Sequence, residues 1–162
     1  MKINAEKFLF NEAIKYLGKY PATKKKIEEH LKKKIKNKKT IQKTIFPENI
    51  EKTDLIKNIV SKLEELKIIN DSDYLESMFN YYKESLFSIR KIKTKLYQKG
   101  FDEKKIDEQI FIQLLENPEL EENILRKYIQ KKQFGNLEVT EIKKKLYHQG
   151  FSESSIYKII EE

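Results

Sequence analysis

Cysteine and tryptophan are absent from this chain of 162 residues, and glycine and proline number only four and three. Without cysteine there is no disulfide, no thiolate nucleophile and no Cys-ligated zinc or iron–sulfur centre. So few turn-forming residues leave little for the tight turns of an all-β fold. Long apolar runs are missing as well. Charged residues break each of them, including those of the opening "MKINAEKFLFNEAIKYL", and none approaches membrane-spanning length. The phosphate-loop, dinucleotide-binding and H-E-x-x-H signatures do not occur. The expectation is a soluble, cytoplasmic protein with no cofactor and no metal.

What the chain does contain is charge. Charged residues make up 37% and apolar ones 38%, enough Ile, Leu, Phe and Tyr to build a core beneath a charged surface. The net charge of +8 favours an anionic partner, either nucleic acid or an acidic protein surface.

One stretch occurs twice. "KIKTKLYQKGF" (91–101) returns as "EIKKKLYHQGF" (141–151), so that Leu96 matches Leu146, Gly100 matches Gly150 and Phe101 matches Phe151. Around the first of these, apolar residues fall at helical spacing three times: Tyr74, Met78, Phe79 and Tyr82; then Ile89, Ile92 and Leu96; then Ile106, Ile110 and Leu114. Ser88 and Asp102 stand at N-cap positions, and Asn117-Pro118 ends the third helix. The later stretch repeats the pattern through Leu120, Ile124, Leu125 and Tyr128, then Ile142 and Leu146, then Ile156, Ile159 and Ile160, with Ser152 as the cap.

An earlier version is harder to see. It runs through Phe10, Ala13, Ile14 and Leu17, then Ile27 and Leu31 after the cap Thr23, then Ile56, Val60 and Leu63. A lysine-rich insertion at about 32–53, with Ile35, Ile41, Ile45 and Phe46 as its only anchors, separates the last two helices. The expected fold is all-α: three tandem three-helix repeats, 1–70, 71–117 and 118–162, forming an elongated, solenoid-like arc.

The repeated stretch itself reads as a corner. Gly100 and Gly150 stand where a helix stops on a left-handed residue, and Phe101 and Phe151 fall back onto the helix just ended. It carries no acid, base or nucleophile beyond surface lysines. His30 and His148 lie singly among lysines, and the Asp102–Glu103 and Asp107–Glu108 pairs favour a helix start. No catalytic residue is expected.

The basic residues are more informative. Lys93 matches Lys143 and Lys95 matches Lys145, with Arg90, Lys91 and Lys144 beside them; Arg126, Lys127, Lys131 and Lys132 lie on the preceding helix of the last repeat. As a set they form a candidate stripe for phosphates or acidic side chains. The plainer reading is a solvated helix face. Tyr97 and Tyr147 also match; they either stack on a base or pack beside a neighbouring helix.

Three segments carry a family likeness: "AIKYLGKYPATKKKIEEHL", "LKIINDSDYLESM", and the pair "KIKTKLYQKGFDEKKI" and "EIKKKLYHQGFSESSI". Their order and spacing resemble the RecX family over roughly residues 8–160; the insertion near 32–53 departs from its pattern. The resemblance implies a helical, three-repeat, non-enzymatic protein. Such a protein binds the recombinase RecA and its filament on single-stranded DNA, and possible direct contact with DNA goes with it. Its effect would be to modulate, and generally inhibit, recombinase, ATPase and coprotease activity. A monomer is expected. Two other readings stay open. A helix-turn-helix DNA reader is disfavoured, because its recognition helix would open with "DEKK" or "SESS", and carboxylates repel the backbone. An α-helical scaffold for an acidic protein partner is the other.

Overall fold

The computed structural model describes residues 5–37 and 51–161. Among the described residues there are nine helices and no strand: α1 (Ala5–Leu17), α2 (Lys24–Asn37), α3 (Lys52–Glu65), α4 (Asp71–Glu84), α5 (Ile89–Gln98), α6 (Glu103–Glu116), α7 (Leu120–Lys132), α8 (Val139–His148) and α9 (Glu153–Ile160). No helix among them is long and apolar enough to cross a membrane. The chain divides at the start of α4 into two compact units, 1–72 and 73–162.

In the first unit α1, α2 and α3 pack pairwise around Leu9, Ala13, Ile27, Leu31, Ile56, Ile59 and Leu63. The buried side of α1 runs through Ala5, Leu9 and Ala13, whereas Ile14 is exposed; the spacing had placed Phe10 and Ile14 on that side. Thr23 is buried and its Oγ1 accepts from the Lys26 N–H at 3.3 Å, the N-cap expected there. The Asp71 carboxylate accepts from the Lys24 N–H at 3.1 Å. Lys32 to Asn37, where the lysine-rich segment was expected to begin, continue α2, with Ile35 buried. The rest of that expectation, with Ile41, Ile45 and Phe46, lies outside the described residues.

In the second unit α4–α9 share one core, centred on Phe79, Ile92, Leu96, Ile106, Leu125, Leu146 and Phe151. Two corners organise it. At the end of α5 the Gly100 N–H donates to the Tyr97 carbonyl (2.9 Å) and the Phe101 N–H to the Leu96 carbonyl (3.4 Å). At the end of α8 Gly150 donates to Tyr147 (2.9 Å) and Phe151 to Leu146 (3.3 Å). This is the paired bonding of a Schellman cap, and both glycines sit at φ 92°. Phe101 and Phe151 are buried. Asp102 and Ser152 then cap α6 and α9 through the N–H groups of Lys105 and Ser155.

The same pair of bonds closes two other helices without glycine. Lys67 (φ 56°) and Ile68 bond to Glu64 and Leu63, and Leu86 (φ 62°) and Phe87 bond to Lys83 and Tyr82. A left-handed non-glycine residue costs about 1–2 kcal/mol, which the cap's paired bonds offset.

Candidate nucleic-acid interface

The eleven basic residues singled out by the sequence all lie in the second unit, on α5, α7 and α8, and their surroundings sort them into three groups.

Arg90 and Lys91 are joined to the end of α8. Arg90 Nη2 donates to the Tyr147 carbonyl at 3.1 Å, and its guanidinium lies 5.5 Å from the Tyr147 ring centroid. Lys91 Nζ donates to Gln149 Oε1 at 2.9 Å. Between them the buried Ser88, which caps α5 through the Lys91 N–H, also donates its hydroxyl proton to the Gln149 carbonyl at 2.9 Å. Cations and donors at these carbonyls satisfy the orphaned groups and negative dipole of a helix C-terminus.

Lys93 and Lys143, the first matched pair, both turn toward the helix after their corner and meet different partners there. Lys93 Nζ lies 2.7 Å from Asp107 Oδ1 and 3.4 Å from Glu103 Oε1, and the Asp107 hydrogen bond holds the ammonium pKa above the usual lysine range. Lys143 Nζ lies 3.9 Å from the Tyr157 ring centroid and 3.1 Å from Glu161 Oε1. Lys95 stands 4.8 Å from the centroid of Phe87, and Lys132 stands 5.7 Å from that of Tyr128.

The third group projects into solvent. Lys127, Lys131, Lys144 and Lys145 are exposed and form no ion pair among the described residues. Arg126, also on α7, is half-buried and reaches Asn123 Oδ1 at 3.5 Å.

Helical spacing places Lys143 one turn from Tyr147 and Lys144 one turn from His148, the latter pair on the side of α8 away from Leu146. The glycine corner brings α9 alongside. The result is a cleft of about 370 Å³ lined by Lys143, Lys144, Tyr147, His148, Glu153, Ile156 and Tyr157. Tyr147 and Tyr157 are 53% and 45% exposed, and Tyr97 is 58% exposed, so neither matched tyrosine belongs to the core. The His148 ring meets that of Tyr147 edge-on at 6.4 Å. His30, which the sequence sets singly among lysines, is half-buried and stacked on Tyr16 at 4.2 Å; burial lowers its pKa.

Two carboxylates escaped the sequence reading. Glu121 on α7 accepts from the Ser152 N–H (3.3 Å), Ser152 Oγ (2.5 Å) and Ser155 Oγ (3.2 Å), tying α7 to the start of α9. The hydroxyls of "FSESS" were the available signal. Glu12 on α1 is buried beside Lys34 at 2.8 Å and Lys15 at 3.6 Å. The Lys34 hydrogen bond holds its carboxyl below the usual range, against the opposing effect of burial. No cluster of three or more metal-ligating side chains occurs among the described residues.

Taken together, the fold is an all-helical one that joins amphipathic helices through capped corners and presents basic and aromatic side chains on its second unit. Its architecture matches known structures. The chain superposes on the crystal structure of RecX from Lactobacillus salivarius with a TM-score of 0.71 and 24% identity, covering 97% of this chain and 95% of that one. It superposes on the crystal structure of a regulatory protein RecX with a TM-score of 0.69 and 23% identity, covering 97% of this chain and 73% of that one. No family model matches the sequence, and no curated protein matches it. The chain has the RecX fold.

Proposed function

We propose that the protein is a non-enzymatic regulator that binds RecA and its filaments on single-stranded DNA and hinders filament growth or ATP turnover. The observation that carries this reading is the structural match to RecX over 97% of the chain, which agrees with the family-like order of its motifs. The proposal includes a cytoplasmic, monomeric protein built as three tandem units, 1–70, 71–117 and 118–162, with no cofactor. Exposed cations without an ion-pair partner are the groups available to an anionic filament surface, and Lys127, Lys131, Lys144 and Lys145 answer that description. Lys93 and Lys143 contribute less, because each already faces an acidic partner within the chain.

The helix-turn-helix alternative gains no support from the helices that follow the corners. α6 opens with Asp102 and Glu103, and the hydroxyls at the start of α9 are engaged by Glu121. A scaffold for an acidic protein with no role at DNA is separated from the proposal by experiment. RecA ATPase is measured on single-stranded DNA with this protein titrated in. The expected result is a dose-dependent fall in ATP turnover, weakened when Lys127, Lys131, Lys144 and Lys145 are changed together to glutamine. Unchanged turnover at saturating protein would overturn the proposal.

A further inference from the structure

We infer that the cleft between α8 and α9 is a stacking site for the bases of a single-stranded polynucleotide. The inference stands apart from the regulatory reading, since it requires a strand to bind with no recombinase present.

Three observations point the same way. First, Tyr147 and Tyr157 stand about half exposed on opposite walls of one cleft, with the His148 ring beside them, and none of these rings belongs to the core. Exposed aromatic faces bordered by cations are what base stacking requires, because every base offers a π-face and every step brings a phosphate.

Second, both tyrosines are held in place before any ligand arrives. The Lys143 ammonium lies 3.9 Å from the centroid of Tyr157, and Arg90, anchored on the Tyr147 carbonyl, lies 5.5 Å from that of Tyr147. Little side-chain entropy is left to lose on binding. Lys144 on the same wall is exposed and has no ion-pair partner among the described residues, so it is free to meet a phosphate. Glu153 is the one carboxylate in the lining, set against two lysines.

Third, the fold does not require this lining. The α5–α6 corner has the same backbone geometry, yet the positions of Lys144, His148 and Tyr157 are held there by Thr94, Gln98 and Asp107. Lys93 there faces two carboxylates, Asp107 and Glu103, where Lys143 faces the Tyr157 ring and one carboxylate, Glu161. The basic and aromatic character belongs to the α8–α9 cleft alone of the two.

Duplexes hide the base faces, so the site selects unpaired strands; its chemistry alone does not separate DNA from RNA. The test is fluorescence anisotropy at low salt with labelled oligo(dT) and oligo(U) of about 16 nucleotides, and with an abasic strand of equal length. The chain has no tryptophan, so quenching of its tyrosine emission reports stacking directly. The wild type is expected to bind the base-bearing strands with quenching and the abasic strand more weakly. Tyr147→Leu and Tyr157→Leu should each lose about 5- to 150-fold in affinity. Tyr97→Leu, at the matched position on α5, should bind as wild type. All three tyrosines are exposed, and an unchanged helical circular dichroism spectrum confirms each variant's fold. Wild-type affinity in the Tyr147→Leu/Tyr157→Leu double variant, or equal affinity for the abasic strand, would overturn the inference. A difference between oligo(dT) and oligo(U) identifies the natural strand. RecA ATPase with the same variants is read separately, so failure of one proposal leaves the other intact.

Discussion

The α5–α6 and α8–α9 corners, fifty residues apart in sequence, close with the same two backbone bonds, the same left-handed glycine and the same buried phenylalanine. Their outer surfaces have little in common. At one, Lys93 is neutralised by Asp107 and Glu103; at the other, Lys143, paired with Glu161, rides on Tyr157 beside an exposed histidine and an exposed lysine. A methyl group on Gly150 would come within 2.6 Å of Ser88 Oγ and 3.2 Å of Arg90 Nε, because α5 presses against that turn. What the two corners share is what a helix reversal over a core demands, and what they do not share is free to serve recognition.

This division can be tested at several strengths. The largest effect is expected from the shared aromatic anchors. Phe101→Ala and Phe151→Ala should each destabilise by about 3–5 kcal/mol in denaturant melts; a marked inequality would break the equivalence of the corners. Next comes Gly150→Ala, where a left-handed alanine costs about 1–2 kcal/mol and the clash with Ser88 adds to it. Ser88→Ala alone should cost about 1 kcal/mol through the lost cap. The double variant should be less destabilised than the sum by at least about 0.5 kcal/mol, since removing the hydroxyl makes room for the methyl. Strict additivity would show that the turn does not press on Ser88.

A transplant follows in size. Thr94→Lys with Gln98→His and Asp107→Tyr gives the α5–α6 corner the lining of its counterpart, and should raise affinity for oligo(dT) by about fivefold or more, as one added stacking contact would. No gain would show that side-chain identity is not enough. The smallest effect lies away from both corners. Lys67 is exposed and left-handed at the end of α3, so Lys67→Gly should stabilise by about 0.5–1 kcal/mol in thermal melts, the relieved strain exceeding glycine's entropy cost.

Much of the fold was legible because its signals are local. Helical spacing located the inward residues of α5 to α9, and Thr23, Ser88, Asp102 and Ser152 announced helix starts that their side chains do cap. Helix ends were legible only where glycine or the Asn117-Pro118 pair marked them. Lys67 and Leu86 make the same caps without glycine, and nothing in their side chains signals a left-handed backbone. On α1 the spacing found Ala13 but missed the rest of the buried side: Leu9 is fully buried and Ile14 is exposed, because the small Ala5, which with Leu9 and Ala13 defines the contact side, carries little weight in a hydrophobic pattern.

Of the candidate surface, sequence reasoning found the lysines and the matched tyrosines. It could not sort paired from unpaired cations, since Asp107 and Glu161 reach theirs only through the folded corners. Nor could it bring Tyr157 alongside Tyr147, a juxtaposition created by the turn at Gly150.

Ser88 has a consequence for how the second unit opens. Its one hydroxyl serves the first turn of α5 and the last carbonyls of α8, and Arg90 and Lys91 reinforce the same join. Neither helix end can fray without stripping partners from the other. Fluctuations that would ordinarily stay local are thereby pooled across 61 residues of sequence. Amides in the first turn of α5 and the last turn of α8 are then expected to exchange with solvent through a single shared opening, as one cooperative block.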